Sequence, residues 1–257
     1  MTDPGVIGLG VLVLAALLVG VSKTAISGVG ALSVALFAAV LPAKESTGAL
    51  LPLLLVGDVV AVRAYRRHAD WPALLRLLPS VAAGVLIGAV FVARTDDAVV
   101  RRTIGALLLT IVLHHLWRRT RERRAVTPTE GAKAAPARRQ RRAQALFFGL
   151  VAGFATMVAN AGGPAMSLYL LTSGLSMLGF LGTGAWFFLI VNLFKLPFSL
   201  ALGLLTPPAL ALDAALALAV LVGAFLGRAC VHRIDQALFE KLVLAFTALS
   251  SLNLLLQ

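Results

Sequence analysis

A polar, helix-breaking passage, Ala155 to Pro164 (ATMVANAGGP), sits between two apolar runs of the kind that form membrane segments. Asn160, the pair Gly162-Gly163 and Pro164 release backbone groups from helical hydrogen bonding, and lipid has nothing to receive them with. Non-helical backbone at membrane depth is tolerated only where protein or a water-filled cavity takes up those groups. The passage is therefore expected to form a cavity wall around which the rest of the chain closes.

The membrane setting follows from composition. Of 257 residues 60% are hydrophobic and 13% charged, against roughly 25% charged in a soluble domain, and the mean hydropathy is +0.94. No strand alternation interrupts the apolar runs, so the fold class is an all-α polytopic membrane protein. The formal charge of +12 is concentrated: between Arg118 and Arg142 ten Lys or Arg stand against two Glu. Such a block marks a cytoplasmic loop, and without aromatic or recognition motifs it does not indicate nucleic acid. Cys230, the one cysteine, excludes an internal disulfide or a dithiol pair for redox chemistry. The start, MTDPGVIG, lacks the basic region of a cleaved signal peptide, so the first apolar run is expected to stay in the mature protein.

The same texture occurs twice. GVSKTAISGVGALSVALF from Gly20 aligns with GFATMVANAGGPAMSLYL from Gly153, an offset of 133 that sets Lys23 on Thr156, Ser27 on Asn160 and Gly30 on Gly163. An offset of 134 sets Asp58 on Asn192, and one of 139 sets Gly84 and Gly88 on Gly223 and Gly227. Interrupted hydrophobic segments at matching positions of two halves point to the substrate site of repeat-built transporters.

Residues 1–117 read as a first membrane repeat, 118–142 as a basic cytoplasmic linker and 143–257 as a second repeat. In the first, apolar runs at about 5–19 and 25–41 are each short of the roughly 20 residues that span a bilayer and form a broken-helix hairpin. Spans follow at 47–65, 72–93 and 98–117, the last anchored at the interface by Trp117. The second repeat has short runs at 143–158 and 163–171 and spans at 179–203, 208–228 and 236–255. Pro128, Gly131 and Pro136 argue against a continuous helix through the linker. A cytoplasmic linker puts Arg66 to His68, Arg228, His232 and Arg233 inside and Arg94 to Arg102 outside. Five segments per unit then make the two units antiparallel, an inverted-topology repeat with its site near the midplane.

Four residues sit where they are expensive. A lone Asp58 near a helix centre costs on the order of 2.5–3.5 kcal/mol on the insertion scale; it serves either a structural ion pair with Lys23 or Lys195, or proton and substrate handling. Lys195 lies about 12 Å from the end of its segment at 1.5 Å per residue, far for snorkelling. Asn192 stands one turn before it, on a similar face, and Lys23 occupies the break of the first hairpin. Pro197 removes an amide hydrogen and disturbs the carbonyl of Leu193, as a cavity wall or as a packing bend. The breaks at Ser27 to Gly30 and at Asn160, Gly162 and Gly163 either permit tight helix packing or bare amides at helix starts, where an anion is favoured. With Lys23 and Lys195 beside them, the second option describes a pocket for a small oxyanion. His114-His115 cannot face one metal from adjacent helical positions and read as headgroup-level residues. No metal site and no cofactor is expected, and no nucleophile–base constellation of an enzyme can be named.

Gly20-Val-Ser-Lys-Thr24 with Gly28 and Gly30, Leu51-Pro-Leu53 leading to Gly57-Asp58, Asn160-Ala-Gly-Gly-Pro164, Gly182-Thr183, and Asn192 through Lys195 to Pro197-Phe198 together resemble the sulfite exporter TauE/SafE family of membrane transporters. The likeness covers the chain except the basic linker. It implies secondary transport of small anions, sulfite or organosulfonates, across the plasma membrane without covalent catalysis. On that reading Lys23, Ser27, Gly30, Asn160, Gly162, Gly163, Asn192 and Lys195 bind substrate and Asp58 exchanges a proton. The alternative is an uncoupled anion channel, or a membrane scaffold subunit for a sulfur-metabolism partner.

Overall fold

The computed structural model describes residues 5–24, 29–124, 138–172 and 175–230, with positions 248, 252 and 256. Among the described residues there is no strand. The helices are α1 (Gly5–Thr24), α2 (Val29–Val40), α3 (Ala43–Tyr65), α4 (Trp71–Arg94), α5 (Asp97–Arg124), α6 (Arg138–Ala159), α7 (Gly163–Thr172), α8 (Met177–Ala201) and α9 (Pro207–Cys230), with a 3-10 turn at Arg66–His68 after α3. Within that part of the chain, α1, α3, α4, α6, α8 and α9 are long and apolar enough to cross a membrane. α2 and α7, at 12 and 10 residues, reach only about 18 and 15 Å, half the roughly 30 Å of a hydrocarbon core.

The expectation that the first run stops short at Val19 is corrected: α1 continues through Ser22, Lys23 and Thr24. Its hydroxyls find acceptors without breaking the helix. Ser22 Oγ donates to Val19 O at 2.7 Å and Thr24 Oγ1 approaches Gly20 O at 3.2 Å. Regular helix also enters the basic stretch 118–142 from both sides, since α5 runs to Arg124 and α6 begins at Arg138. Pro128, Gly131 and Pro136, Ser27, His232 and all of the apolar run 236–255 but positions 248 and 252 lie outside the described residues. His68 is exposed at the turn after α3, and Trp117 is exposed on α5.

Helix starts are fixed by acceptors at the orphan amides. Asp70 Oδ1 accepts from Ala73 N and opens α4, and Ser176 Oγ accepts from Gly179 N and opens α8. The carboxylate of Asp97, at the start of α5, reaches across to accept from Ala43 N and Lys44 N at the start of α3.

The most extensive contacts join α4 to α6 and α1 to α9. Each pair meets through glycines. A methyl on Gly84 would stand 2.3 Å from Leu150 O, and one on Gly153 2.1 Å from Val81 O; across the other seam, one on Gly20 would stand 2.1 Å from Val220 O and one on Gly223 2.0 Å from Leu17 O. Only a hydrogen fits, and the backbones close in as small residues allow in membranes. A hydroxyl bonds across each seam as well, Ser80 Oγ to Ala145 O at 2.8 Å and Thr24 Oγ1 to Ala224 O at 3.0 Å. Contacts rise in step along both partners, Gly84 at Leu150 to Phe154 and Gly88 at Met157, then Leu17 at Gly223 and Val21 at Gly227. The helices of each pair therefore run parallel. α3 and α8 pack together between the seams, bringing Asp58 opposite Asn192.

Candidate functional site

The end of α1, the start of α2, the middle of α3, the α6–α7 break and the first half of α8 enclose a cavity of about 130 Å³. Gly30 and Ala31 from the first turn of α2 and Gly163 and Pro164 from the first turn of α7 line it. First-turn amides lack intrahelical acceptors and carry the positive end of the helix dipole. Both half-length helices thus turn an anion-favouring end toward one space. At Gly30 and Gly163 an added methyl would make ordinary contact, 3.7 Å from Ser22 Oγ and from Phe188 Cζ. Close helix packing is therefore not what demands glycine there, in contrast to the seams.

Lys23 and Asp58 form the charged part of the wall. Lys23 Nζ stands 2.6 Å from Asp58 Oδ1 and 4.2 Å from the centroid of the Phe188 ring, so its charge is met by a carboxylate and an aromatic face. Asp58 is fully buried, and its other oxygen, Oδ2, accepts from Asn192 Nδ2 at 2.7 Å. Gly57 makes room for the lysine stem: a methyl there would meet Lys23 Cγ at 2.9 Å.

The α6–α7 break is built around Asn160, whose φ of 50° is left-handed, a conformation asparagine adopts more readily than most residues. This ends α6 and leaves terminal carbonyls in need of donors. Thr47 Oγ1 donates to Val158 O at 3.0 Å, and Lys195 Nζ donates to Thr156 O at 2.7 Å. The Asn160 amide is clamped from two sides, Oδ1 accepting from Lys195 Nζ at 2.6 Å and Nδ2 donating to Thr47 O at 3.0 Å. Lys195, 1% exposed, thus sets its charge against the negative end of the α6 dipole. Its contacts are with that helix end, while Asp58 pairs with Lys23.

The family model described as Sulfite exporter TauE/SafE matches residues 12–254. The chain belongs to the TauE/SafE family. TauE/SafE proteins are membrane transporters and not enzymes, so the chain is a multi-pass membrane protein of an anion-exporter family, with a small anionic substrate and the lipid bilayer as its partners. No curated protein and no solved structure matches it.

In this TauE/SafE chain the cavity brings together Lys23, Gly30, Asp58, Asn160 and Gly163. Asn192 and Lys195 stand behind it, the first on Asp58 and the second on Asn160. Gly162 also lies off the wall; its carbonyl accepts from Met166 N at 3.1 Å and starts α7. Thr47, Thr156 and Phe188 were not evident in the sequence, where threonines near a break and a phenylalanine in an apolar run are unremarkable. Thr156, aligned with Lys23 across the repeat, carried the one available signal. Among the described residues no cluster of three His, Cys, Asp or Glu could hold a metal ion.

Proposed function

We propose that this TauE/SafE chain carries sulfite or a small organosulfonate across the plasma membrane by alternating access, with two inverted-topology repeats rocking about the cavity. The observation that carries the reading is the meeting of two half-helix N-termini and the Lys23–Asp58 pair in one space. The seams support the inversion: α1 lies parallel to α9 as α4 does to α6, which is what a twofold axis in the membrane plane produces when the first and fourth helices of each unit exchange partners. In this scheme residues 1–117 and 143–257 are the two units, and 118–142 is their cytoplasmic linker.

Lys23 neutralises the anion, the amides at Gly30 and Gly163 and the side chain of Asn160 receive its oxygens, and Asp58 exchanges the proton. Substrate and carboxylate compete for one ammonium. When Asp58 takes up a proton, Lys23 is released to the anion; when the proton leaves, the ion pair re-forms and the anion is expelled. Asn192 and Lys195 act through Asp58 and Asn160. The test is flux of sulfite and methanesulfonate into proteoliposomes. Saturable flux driven by a pH gradient is expected, with Asp58→Asn retaining exchange and losing the gradient dependence. Electrogenic flux indifferent to the gradient would instead mark an uncoupled channel, and absence of flux with a partner held through residues 118–142 a scaffold.

A further inference from the structure

Two hydroxyls that the half-length helices bring to the cavity wall have no part in the scheme above. Ser33 on α2 and Ser167 on α7 both line the cavity. Each is the fifth residue of its helix, because α2 begins at Val29 and α7 at Gly163. The offset of 134 between them also relates Asp58 to Asn192. The two half-length helices therefore bring one serine apiece to the same space, each from the fifth position of its helix.

Ser33 is 1% exposed and its Oγ has no hydrogen-bond partner among the described residues. A helical serine ordinarily turns its hydroxyl back to a carbonyl of the preceding turn. Ser22 and Ser46 do so here, at 2.7 and 2.8 Å. An enclosed hydroxyl with no partner bears a desolvation cost that nothing in the wall offsets. It is also the donor most free to serve a guest: the Ser22 proton is committed to Val19 O, and the Asn160 amide already donates to Thr47 O. Much of the remaining wall is apolar, Val34, Leu54 and Phe188 among it, and cannot hydrogen-bond an anion.

We infer that Ser33 and Ser167 are ligands of the transported anion, one hydroxyl from each half-length helix, and that they set which anions the cavity accepts. The inference rests on the transport reading above. An anion with charge spread over several oxygens gives Lys23 and each serine its own acceptor, whereas a halide must share one centre among all three. Selectivity for a sulfonate or sulfite over chloride then resides in the serine pair, and Lys23 supplies attraction to either.

The experiment is titration of the purified full chain with methanesulfonate, sulfite and chloride, together with ligand-free melting temperatures. Loss of a hydrogen bond to a charged group predicts about a tenfold or greater drop in methanesulfonate and sulfite affinity for Ser33→Ala and for Ser167→Ala, with chloride little changed. Ser33→Thr keeps the hydroxyl and is expected to bind within about threefold of the parent. Ser33→Ala should melt no lower than the parent, since it removes a hydroxyl that bonds to nothing. Unchanged oxyanion affinity in both alanine variants would overturn the serine assignment and leave the transport reading standing, as would a Ser33→Ala variant that melts lower without ligand. A parent chain that binds none of the three anions would sink the transport reading itself.

Discussion

The ammonium of Lys23 lies 2.6 Å from Oδ1 of Asp58, joining the end of α1 to the middle of α3 inside the cavity wall. A buried ion pair is costly to break from one side, because the charge left behind has lost its partner; removing one member typically costs about 3–5 kcal/mol. Lys23→Met should therefore lower the melting temperature steeply, while the double variant Lys23→Met with Asp58→Asn recovers most of that loss. Neither should transport anions, since the double variant restores the neutrality of the wall without its attraction. Stability tracked by fluorescence-detected size exclusion over a temperature series, beside proteoliposome flux, separates the two effects. A double variant as unstable as the single would contradict the ion-pair account.

Lys195 and Asn160 form a second coupled pair, at 2.6 Å. Because Lys195 stands behind the wall, its contribution to anion binding passes through the orientation of Asn160. Lys195→Ala and Asn160→Ala should each abolish most sulfite or methanesulfonate flux. The double variant should be no worse than the poorer single, with a coupling energy within the roughly 0.5–3 kcal/mol found for residues sharing one network. Additive losses would mean that the lysine meets the anion directly.

Much of this arrangement was legible because the signals are local. A helix break at Asn160, Gly162, Gly163 and Pro164 is written in neighbouring letters, and so is the shortness of the apolar run that follows it. The end of α1 is not where the apolar run stops, because polar residues do not end a helix when the Ser22 hydroxyl finds an acceptor in the preceding turn and that of Thr24 one on α9. The choice between Lys23 and Lys195 as partner of Asp58 stayed open because it depends on which helix faces α3 at that depth, which no spacing within one segment encodes. The same limit hid Ser33. A serine in an apolar helix is ordinary, and only the cavity shows its hydroxyl without a partner.

The glycines divide by what stands opposite them. Gly153 faces the α4 backbone, with Val81 O 2.1 Å from where a methyl would be, while Gly163 has Phe188 Cζ at 3.7 Å. The α4 backbone opposite Gly153 cannot yield without parting α4 from α6, so Gly153→Ala should cost at least the roughly 1–3 kcal/mol of an overpacked core. Gly163→Ala should leave stability within about 0.5 kcal/mol, as substitutions away from packing conflicts do, while its methyl intrudes on the cavity and weakens anion binding. Melting temperature and methanesulfonate affinity, measured on both variants, should therefore move in opposite combinations. Equal melting temperatures would refute the assignment of Gly153 to a backbone seam.

Asp213, on α9, is 3% exposed, and neither of its carboxylate oxygens has a hydrogen-bond partner among the described residues. It does not line the cavity, so no step of the transport scheme uses it. A polar group enclosed without partners is destabilising by about 1–3 kcal/mol relative to a satisfied or apolar replacement. Leucine is close in volume and carries no group needing a partner. Asp213→Leu should therefore raise the melting temperature by several degrees, the scale on which about 1 kcal/mol shifts a chain of this size, and leave sulfite and methanesulfonate flux at the parental rate. A variant that melts higher but no longer transports would show that the carboxyl serves the transport cycle from outside the cavity, and the proton path would then have to run through α9 as well as Asp58.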